Sequence, residues 1–228
     1  MKAEHLKSLQ AARRERQAIA LATWLDDGAG VLARPGETVE PAALDEALRS
    51  AFADDRSATV TIDGRDVFIH VFNPPLRLMA IGAVHIAEPL ARYAAIAGYD
   101  VILIDPRRAF ADRDRFPGVT VMDAWPDEAL AGLKPDRRSA IVTLTHDPKI
   151  DDPALHTALR SGAFYVGSLG STRTHAKRVE RLKEAGFGDD EIGRIHAPVG
   201  LDIGAKTPQE IALSIMSEIV AVRQGKVA

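Results

Sequence analysis

The 228-residue sequence has no cysteine, which excludes disulfides, thiolate nucleophiles and thiolate metal sites together. It has no basic excess. With 29 Lys and Arg against 32 Asp and Glu, the formal net charge is −3, so the electrostatic footprint of a nucleic-acid binder is missing. No apolar run approaches the ~18–20 residues that a membrane helix needs. The opening Met1-Lys2-Ala3-Glu4-His5-Leu6-Lys7 runs into charge, not into the apolar stretch of a secretory signal. Internal repeats and low-complexity segments are absent too. These absences predict a cytoplasmic protein with no nucleic-acid or membrane partner. What is present is ordinary for a globular chain, 46% hydrophobic and 27% charged residues. The length suits one large domain, or a small and a medium one.

Hydrophobic periodicity changes once along the chain. The first twenty residues, rich in Ala, Arg, Glu and Gln, predict a helix that is either exposed or held by a partner. Residues 19–25 read as a buried strand, 26–30 as a turn and 31–33 as a short return strand. Pro41 opens a helix whose Leu44, Leu48, Ala51 and Phe52 share one face. Asp63-Gly64 between two alternating apolar runs is a hairpin signal, and Asn73-Pro74-Pro75 reads as a linker. Residues 1–74 therefore predict a small α+β domain.

Beyond the linker, apolar strands alternate with helices. Strands are expected at 76–82, 101–104, 119–122, 140–144 and 163–167. Helices are expected at 86–97, 128–133, 153–161, 174–185 and 210–223. This grammar predicts an α/β fold, a Rossmann-like parallel sheet covered on both faces, over residues 75–228.

In such a sheet, ligands bind outside the carboxyl ends of the strands. The loop after the first strand, Gly82-Ala83-Val84-His85, stands where a dinucleotide-binding glycine loop would stand. Asp105 ends the second strand, where an acid would bind a ribose hydroxyl. Val84 occupies the second glycine position and disfavours close approach of an NAD(P) pyrophosphate, while the helix start still attracts an anion. Gly82 alternatively serves turn geometry alone. His85 can donate to a ligand oxygen or to a structural neighbour. Arg107 and Arg108 can clamp a phosphate or stand solvated. Asp112 to Arg115 read as a mixed-charge loop.

Thr145-His146-Asp147 brings polar residues to the end of the fourth strand. His146 is the general acid/base candidate, and Asp147 either orients it or, like Asp151, caps the helix before Pro153. Gly167-Ser168-Leu169-Gly170-Ser171-Thr172-Arg173 is a second phosphate-cradle candidate, with a flexible linker as its plain alternative. Gly200, Asp202 and Gly204 lie in a tight loop expected near the site, and Thr207-Pro208-Gln209-Glu210 is a helix start.

Together with Arg115-Phe116-Pro117 and the tail Pro198-Val199-Gly200-Leu201-Asp202-Ile203-Gly204-Ala205-Lys206-Thr207-Pro208-Gln209-Glu210-Ile211-Ala212, these loops resemble the XdhC/CoxI family. The resemblance covers residues 74–225 closely, and the N-terminal domain looks like a shortened form of the family's first domain. It implies an accessory protein, not a turnover enzyme. Such a protein binds molybdenum cofactor, shields it during sulfuration and delivers it to an apo molybdenum hydroxylase, with a cysteine desulfurase as second partner and a homodimer as the usual assembly. The cofactor-binding set it implies is Gly82, Ala83, His85, Asp105, Arg107, Thr145, His146, Asp147, Gly167, Ser168, Gly170, Ser171, Arg173, Gly200, Asp202 and Gly204. The chain departs from the family pattern at Val84, where glycine is usual. It also lacks the first domain's Gly-Ser-x-Pro-Arg and Gly-Gly-Cys-x-Glu segments. The competing readings are an NAD(P)-dependent Rossmann oxidoreductase and a non-catalytic scaffold module with a vestigial pocket.

Overall fold

Local chemistry builds the first unit from α1 (Ala3–Arg14), β1 (Ile19–Trp24), β2 (Gly30–Ala33), α2 (Ala42–Asp54), β3 (Ala58–Ile62) and β4 (Arg65–Phe72). Asp63 and Gly64 both take positive φ, 50° and 78°, as a two-residue type I′ turn requires, and they set Ile62 opposite Arg65. The antiparallel sheet runs β2-β1-β4-β3. Alternation along β1 decides which helix covers which face. Ala20 and Ala22 pack with Leu44, Leu48 and Ala51 of α2, whereas Ile19 packs with Leu9 and Ala12 of α1. So α1 lays one face, through Leu9 and Ala12, on its own sheet and leaves the rest of its surface exposed. It also stops at Arg14, short of the expected twenty residues, because Arg16 turns to φ 54° and the apolar alternation takes over as strand.

The computed structural model describes residues 3–107 and 113–226, and the chain divides into two compact units between Pro74 and Pro75. The second unit contains β5 (Leu76–Ile81), α3 (Ala87–Ile96), β6 (Tyr99–Ile104), β7 (Thr120–Met122), α4 (Pro126–Leu133), β8 (Ser139–Thr143), α5 (Pro148–Arg160), β9 (Tyr165–Ser168), α6 (Thr172–Glu184), α7 (Asp189–Ile192), β10 (Ile195–His196) and α8 (Pro208–Arg223). Its six strands run parallel in the order β10-β9-β8-β5-β6-β7. All six residues of β5 are buried, because a parallel strand between two helical layers has no wet face. Leu78 and Ala80 enter the cluster under α3 and α8, while Met79 and Ile81 enter the one under α4 and α5. Val101, Leu103 and Val142 follow the first pair, and Ile102, Ile104 and Ile141 the second.

Several helices begin earlier than periodicity suggests, α5 and α6 among them. Asp147 caps α5 by accepting from Lys149 N, and Pro148 takes the first helical position, so Pro153 lies inside the helix instead of opening it. Proline there sacrifices one amide near the start, which a cap and a well-placed first proline outweigh. Ser171 caps α6 in the same way, and the helix begins at Thr172, two residues ahead of the expected start. The edge strand β10 is only two residues long, too short to leave a period in the sequence.

Gly82 is where the fold places the site. Its φ is 105° and its N–H donates to Ile104 O at 2.8 Å. A Cβ at this position would overlap the Thr145 methyl, so the loops after β5 and β8 meet through a bare α-carbon. We expect Gly82→Ala to cost about 3 kcal/mol, from positive-φ strain together with overpacking. Adding Thr145→Ser, which keeps the hydroxyl and removes the methyl, should restore about 1–2 kcal/mol of this in urea unfolding. Simple additivity of the two substitutions would contradict the contact.

Candidate functional site

Within the second unit the strands number 6-5-4-1-2-3 across the sheet, so the order reverses between β5 and β8. Ligand sites in open α/β sheets lie outside the carboxyl ends at such a reversal. Three segments converge there: residues 82–86 after β5, 144–147 after β8 and 169–171 after β9.

The first segment is tied up within the chain. Asp105 is fully buried at the end of β6. Its Oδ2 accepts Ala83 N at 2.8 Å and Arg107 Nη2 at 2.8 Å, and its Oδ1 accepts Arg107 N and Nε, both at 2.9 Å. Burial pushes the Asp105 carboxyl up, but the Arg107 guanidinium and the two amides outweigh it and hold the group below the usual aspartate range. The Arg107 guanidinium is correspondingly stabilised, chiefly by Asp105, with the charges of Asp147 and Asp151 adding to it. The acid expected to bind a ribose hydroxyl thus spends its lone pairs closing the glycine turn. Arg107, expected as a phosphate clamp, is engaged with that acid, and Arg108 and Asp112 lie outside the described residues. Arg115 is more than part of a charged loop. It donates to Glu88 Oε1 from Nε and Nη2 at 2.8 and 2.6 Å and to Ala83 O at 3.2 Å. Val84 is half-buried and packs into the apolar cluster under α3 and α8, so the bar to a pyrophosphate is the committed Ala83 amide more than the valine side chain. His85 is exposed.

The second segment is organised by Asp151, a buried acid on α5. It accepts Thr145 Oγ1 at 2.7 Å and His146 N at 3.0 Å, while Thr145 Oγ1 accepts Asp147 N at 3.1 Å. Burial dominates at Asp151 and raises its carboxyl above the ordinary range despite these bonds and the nearby Arg178 charge. Thr145 and Asp147 are thereby used in loop and cap construction. His146 is left exposed at φ 64°, a conformation that a non-glycine residue keeps only where its surroundings enforce it.

The third segment is shorter than expected. Gly167 and Ser168 are strand residues, buried in β9, and Ser168 Oγ pairs with Thr143 Oγ1 at 2.5 Å. They cannot cradle a phosphate in that position, because neither is at the surface. Gly170 remains, at φ 140°, with a Cβ there lying 3.1 Å from Thr174 and 3.7 Å from His146 Nδ1. Ser171 Oγ accepts Thr174 N at 3.2 Å as the cap of α6. Between this segment, the start of α5 and α6 lies a cleft of about 280 Å³, lined by His146, Asp151, Arg173, Thr174, Lys177 and Arg178 among others.

Gly200, Asp202 and Gly204 do not line that cleft. Gly200 N donates to Glu218 Oε2 at 2.8 Å, and Asp202 and Gly204 are exposed. Glu218 also accepts the Tyr165 hydroxyl, whose ring stacks on His196 with centroids 4.7 Å apart. Burial, followed by the Glu218 charge, pushes the Tyr165 phenol strongly up, so it stays a donor. This network anchors the tail loop to α8.

Lys177 and Arg178 escape a loop-by-loop reading because they sit inside a helix. The signal was the spacing: Arg173, Lys177 and Arg181 recur every four residues and share one face of α6. Asp151 was legible only as a cap, because its burial comes from α5 starting early.

The Asp105 network generates a pH prediction. A carboxylate held below its unfolded value of about 4 contributes stability that is present above that value and lost as pH falls through the folded one. Asp105→Asn should therefore cost about 2–3 kcal/mol at pH 7. The gap between variant and parent should narrow as pH falls below about 4. Denaturant unfolding at both pH values measures it, and a gap that does not change with pH would contradict the charged network.

The model of the XdhC Rossmann domain matches residues 78–219. The chain is similar to the molybdenum cofactor insertion chaperone PaoD of Escherichia coli, 34% identical over 152 residues that make up 67% of this chain and 42% of that one. It is similar to a probable xanthine dehydrogenase subunit of Bacillus subtilis, 33% identical over 160 residues, 70% of this chain and 46% of that one. It thus spans less than half the length of these curated relatives. Its fold matches a solved structure described as a xanthine dehydrogenase from Bacillus halodurans, with TM-score 0.71 at 21% identity over 98% of this chain and 65% of the other. The matched residues take in the parallel sheet from Leu78 of β5 onward and the cleft at its edge, and the chain belongs to the XdhC Rossmann-domain family.

Proposed function

We propose that this protein is a maturation factor that binds molybdenum cofactor and passes it to a xanthine-dehydrogenase-like molybdenum hydroxylase. The observation that carries the proposal is the basic cleft where the His146 loop meets Gly170 and the start of α6. The cofactor presents a phosphate at one end and an oxo-molybdenum head at the other. The residues fit the phosphate end. Arg173, Lys177 and Arg178 supply positive charge, and Thr174 adds a hydroxyl. Among the described residues there is no group of three or more His, Cys, Asp or Glu side chains placed to hold a metal ion. The chain would therefore grip the organic part of the cofactor, with His146 on the cleft lining able to hydrogen-bond a polar group of the pterin. The cofactor, when bound, supplies the metal-centred chemistry of its client enzyme. This chain's residues bind and orient it. The name of the PaoD relative supports the cofactor, and that of the Bacillus subtilis relative supports a hydroxylase client.

A nicotinamide-dependent reductase needs the amide at the first glycine turn, and here that amide is donated to Asp105. We therefore expect anaerobic equilibrium titration to give saturable binding of molybdenum cofactor and at least about tenfold weaker binding of NADH and NADPH, a difference of about 1.4 kcal/mol. Gly170→Val should reduce cofactor affinity, because the side chain must sit at an unfavourable φ against Thr174 and His146. Binding of NAD(P)H without molybdenum cofactor would overturn the reading in favour of an oxidoreductase. Binding of neither would favour a scaffold module.

A further inference from the structure

Arg178 projects from α6 and is 2% exposed, the largest side chain in the fully buried set. Its Nη2 donates to Leu169 O at 3.0 Å, while Nε and Nη1 have no hydrogen-bond partner. Guanidinium does not shed its proton at any ordinary pH, so a buried fork with idle donors is unfavourable unless something else accepts from it. The surrounding groups do not. Asp151 is committed to Thr145 and His146, and Asp152 is committed to Arg181 through contacts of 2.5 and 2.9 Å. Both carboxylates attract Arg178 at a distance, yet burial wins and lowers its pKa. Arg178, midway along the 13-residue α6, lines the cleft beside Lys177, and Arg173 and Thr174 of the helix's first turn line it too.

We infer that this cleft is a phosphate site in which the Arg178 guanidinium, which lines its wall with Nε and Nη1 still covered, turns those idle donors to phosphoryl oxygens while Lys177 and Arg173 balance their charge. The ligand class is a phosphorylated or diphosphorylated small molecule. The site replaces the glycine turn after β5, whose amide is already consumed by Asp105. The inference rests on reading the cleft as the ligand site, and it does not require that the ligand be molybdenum cofactor.

Calorimetric titration of the full chain with inorganic pyrophosphate at low salt tests it. The parent protein should bind saturably. Arg178→Met should weaken binding by at least about tenfold, and Arg178→Lys by several-fold, because an ammonium lacks the fork. Lys177→Met, an exposed substitution that leaves folding alone, should weaken it by about threefold, and Lys134→Met, an exposed position before the start of β8 at the other end of the strands, should leave it within about twofold. If Arg178→Met fails to fold, Arg178→Lys and Lys177→Met decide. No saturable binding by the parent below about 10 mM, an affinity of under 3 kcal/mol, would overturn the site, as would unchanged affinity in both of those variants. Pyrophosphate binding with the expected losses, but no binding of molybdenum cofactor, would overturn the maturation role and leave the phosphate site standing. Undiminished cofactor binding by Arg178→Lys and Lys177→Met would do the reverse.

Discussion

The Asp105 carboxylate sits at the end of β6 with no access to water, and its charge is balanced entirely by neighbours. Two amides and one guanidinium take all its bonds, and one of those amides belongs to the turn that follows β5. Through that bond the second strand of the parallel sheet fixes the conformation of the first loop. With Ala83 held, Gly82 keeps the φ that lets the Thr145 methyl approach, and the Thr145 hydroxyl joins the Asp151 network that shapes the next loop. A single buried acid thus governs how the edge of the sheet is built and which backbone donors remain for a ligand.

The consequence is a Rossmann-type sheet whose first glycine turn has already spent its Ala83 amide within the chain. In dinucleotide-binding relatives of this topology, the first glycine turn offers free amides to the pyrophosphate. Here unpaired donors lie two strands across the sheet, on the buried fork of Arg178 in α6. Two residues in unusual backbone conformations, His146 and Gly170, face each other at that place. The fold supports strain there because Asp151 anchors one loop and Ser171 caps the helix after the other. The strain is that of His146, since glycine takes a positive φ at little cost, and it lies beside the basic cleft.

The architecture was largely legible in the sequence. Continuous apolar strands such as Leu76–Ile81 announce burial on both faces, and the Asp63-Gly64 pair specifies its own turn. The boundaries of α5 and α6 were less so, since Asp147 with Pro148, and Ser171, begin helices where periodicity is still silent. Of the site, the converging loops could be read from strand ends, and His146 and Arg173 do line one cleft, with Gly170 beside His146. The partners of each polar group could not be read. That Asp105 faces inward to Ala83, that Ser168 lies buried against Thr143, and that Arg178 is covered are products of tertiary packing, which no local pattern encodes.

Amide hydrogen exchange at Ala83 in the ligand-free protein tests most directly whether the first glycine turn is closed from within. With its N–H donated to a buried carboxylate, this amide should exchange at least about 100-fold more slowly than an unprotected one. The protection should fall in Asp105→Asn, while amides in the middle of β6 keep theirs. Exchange at the unprotected rate in the parent protein, or protection that arises only when a nicotinamide dinucleotide is added, would contradict the account.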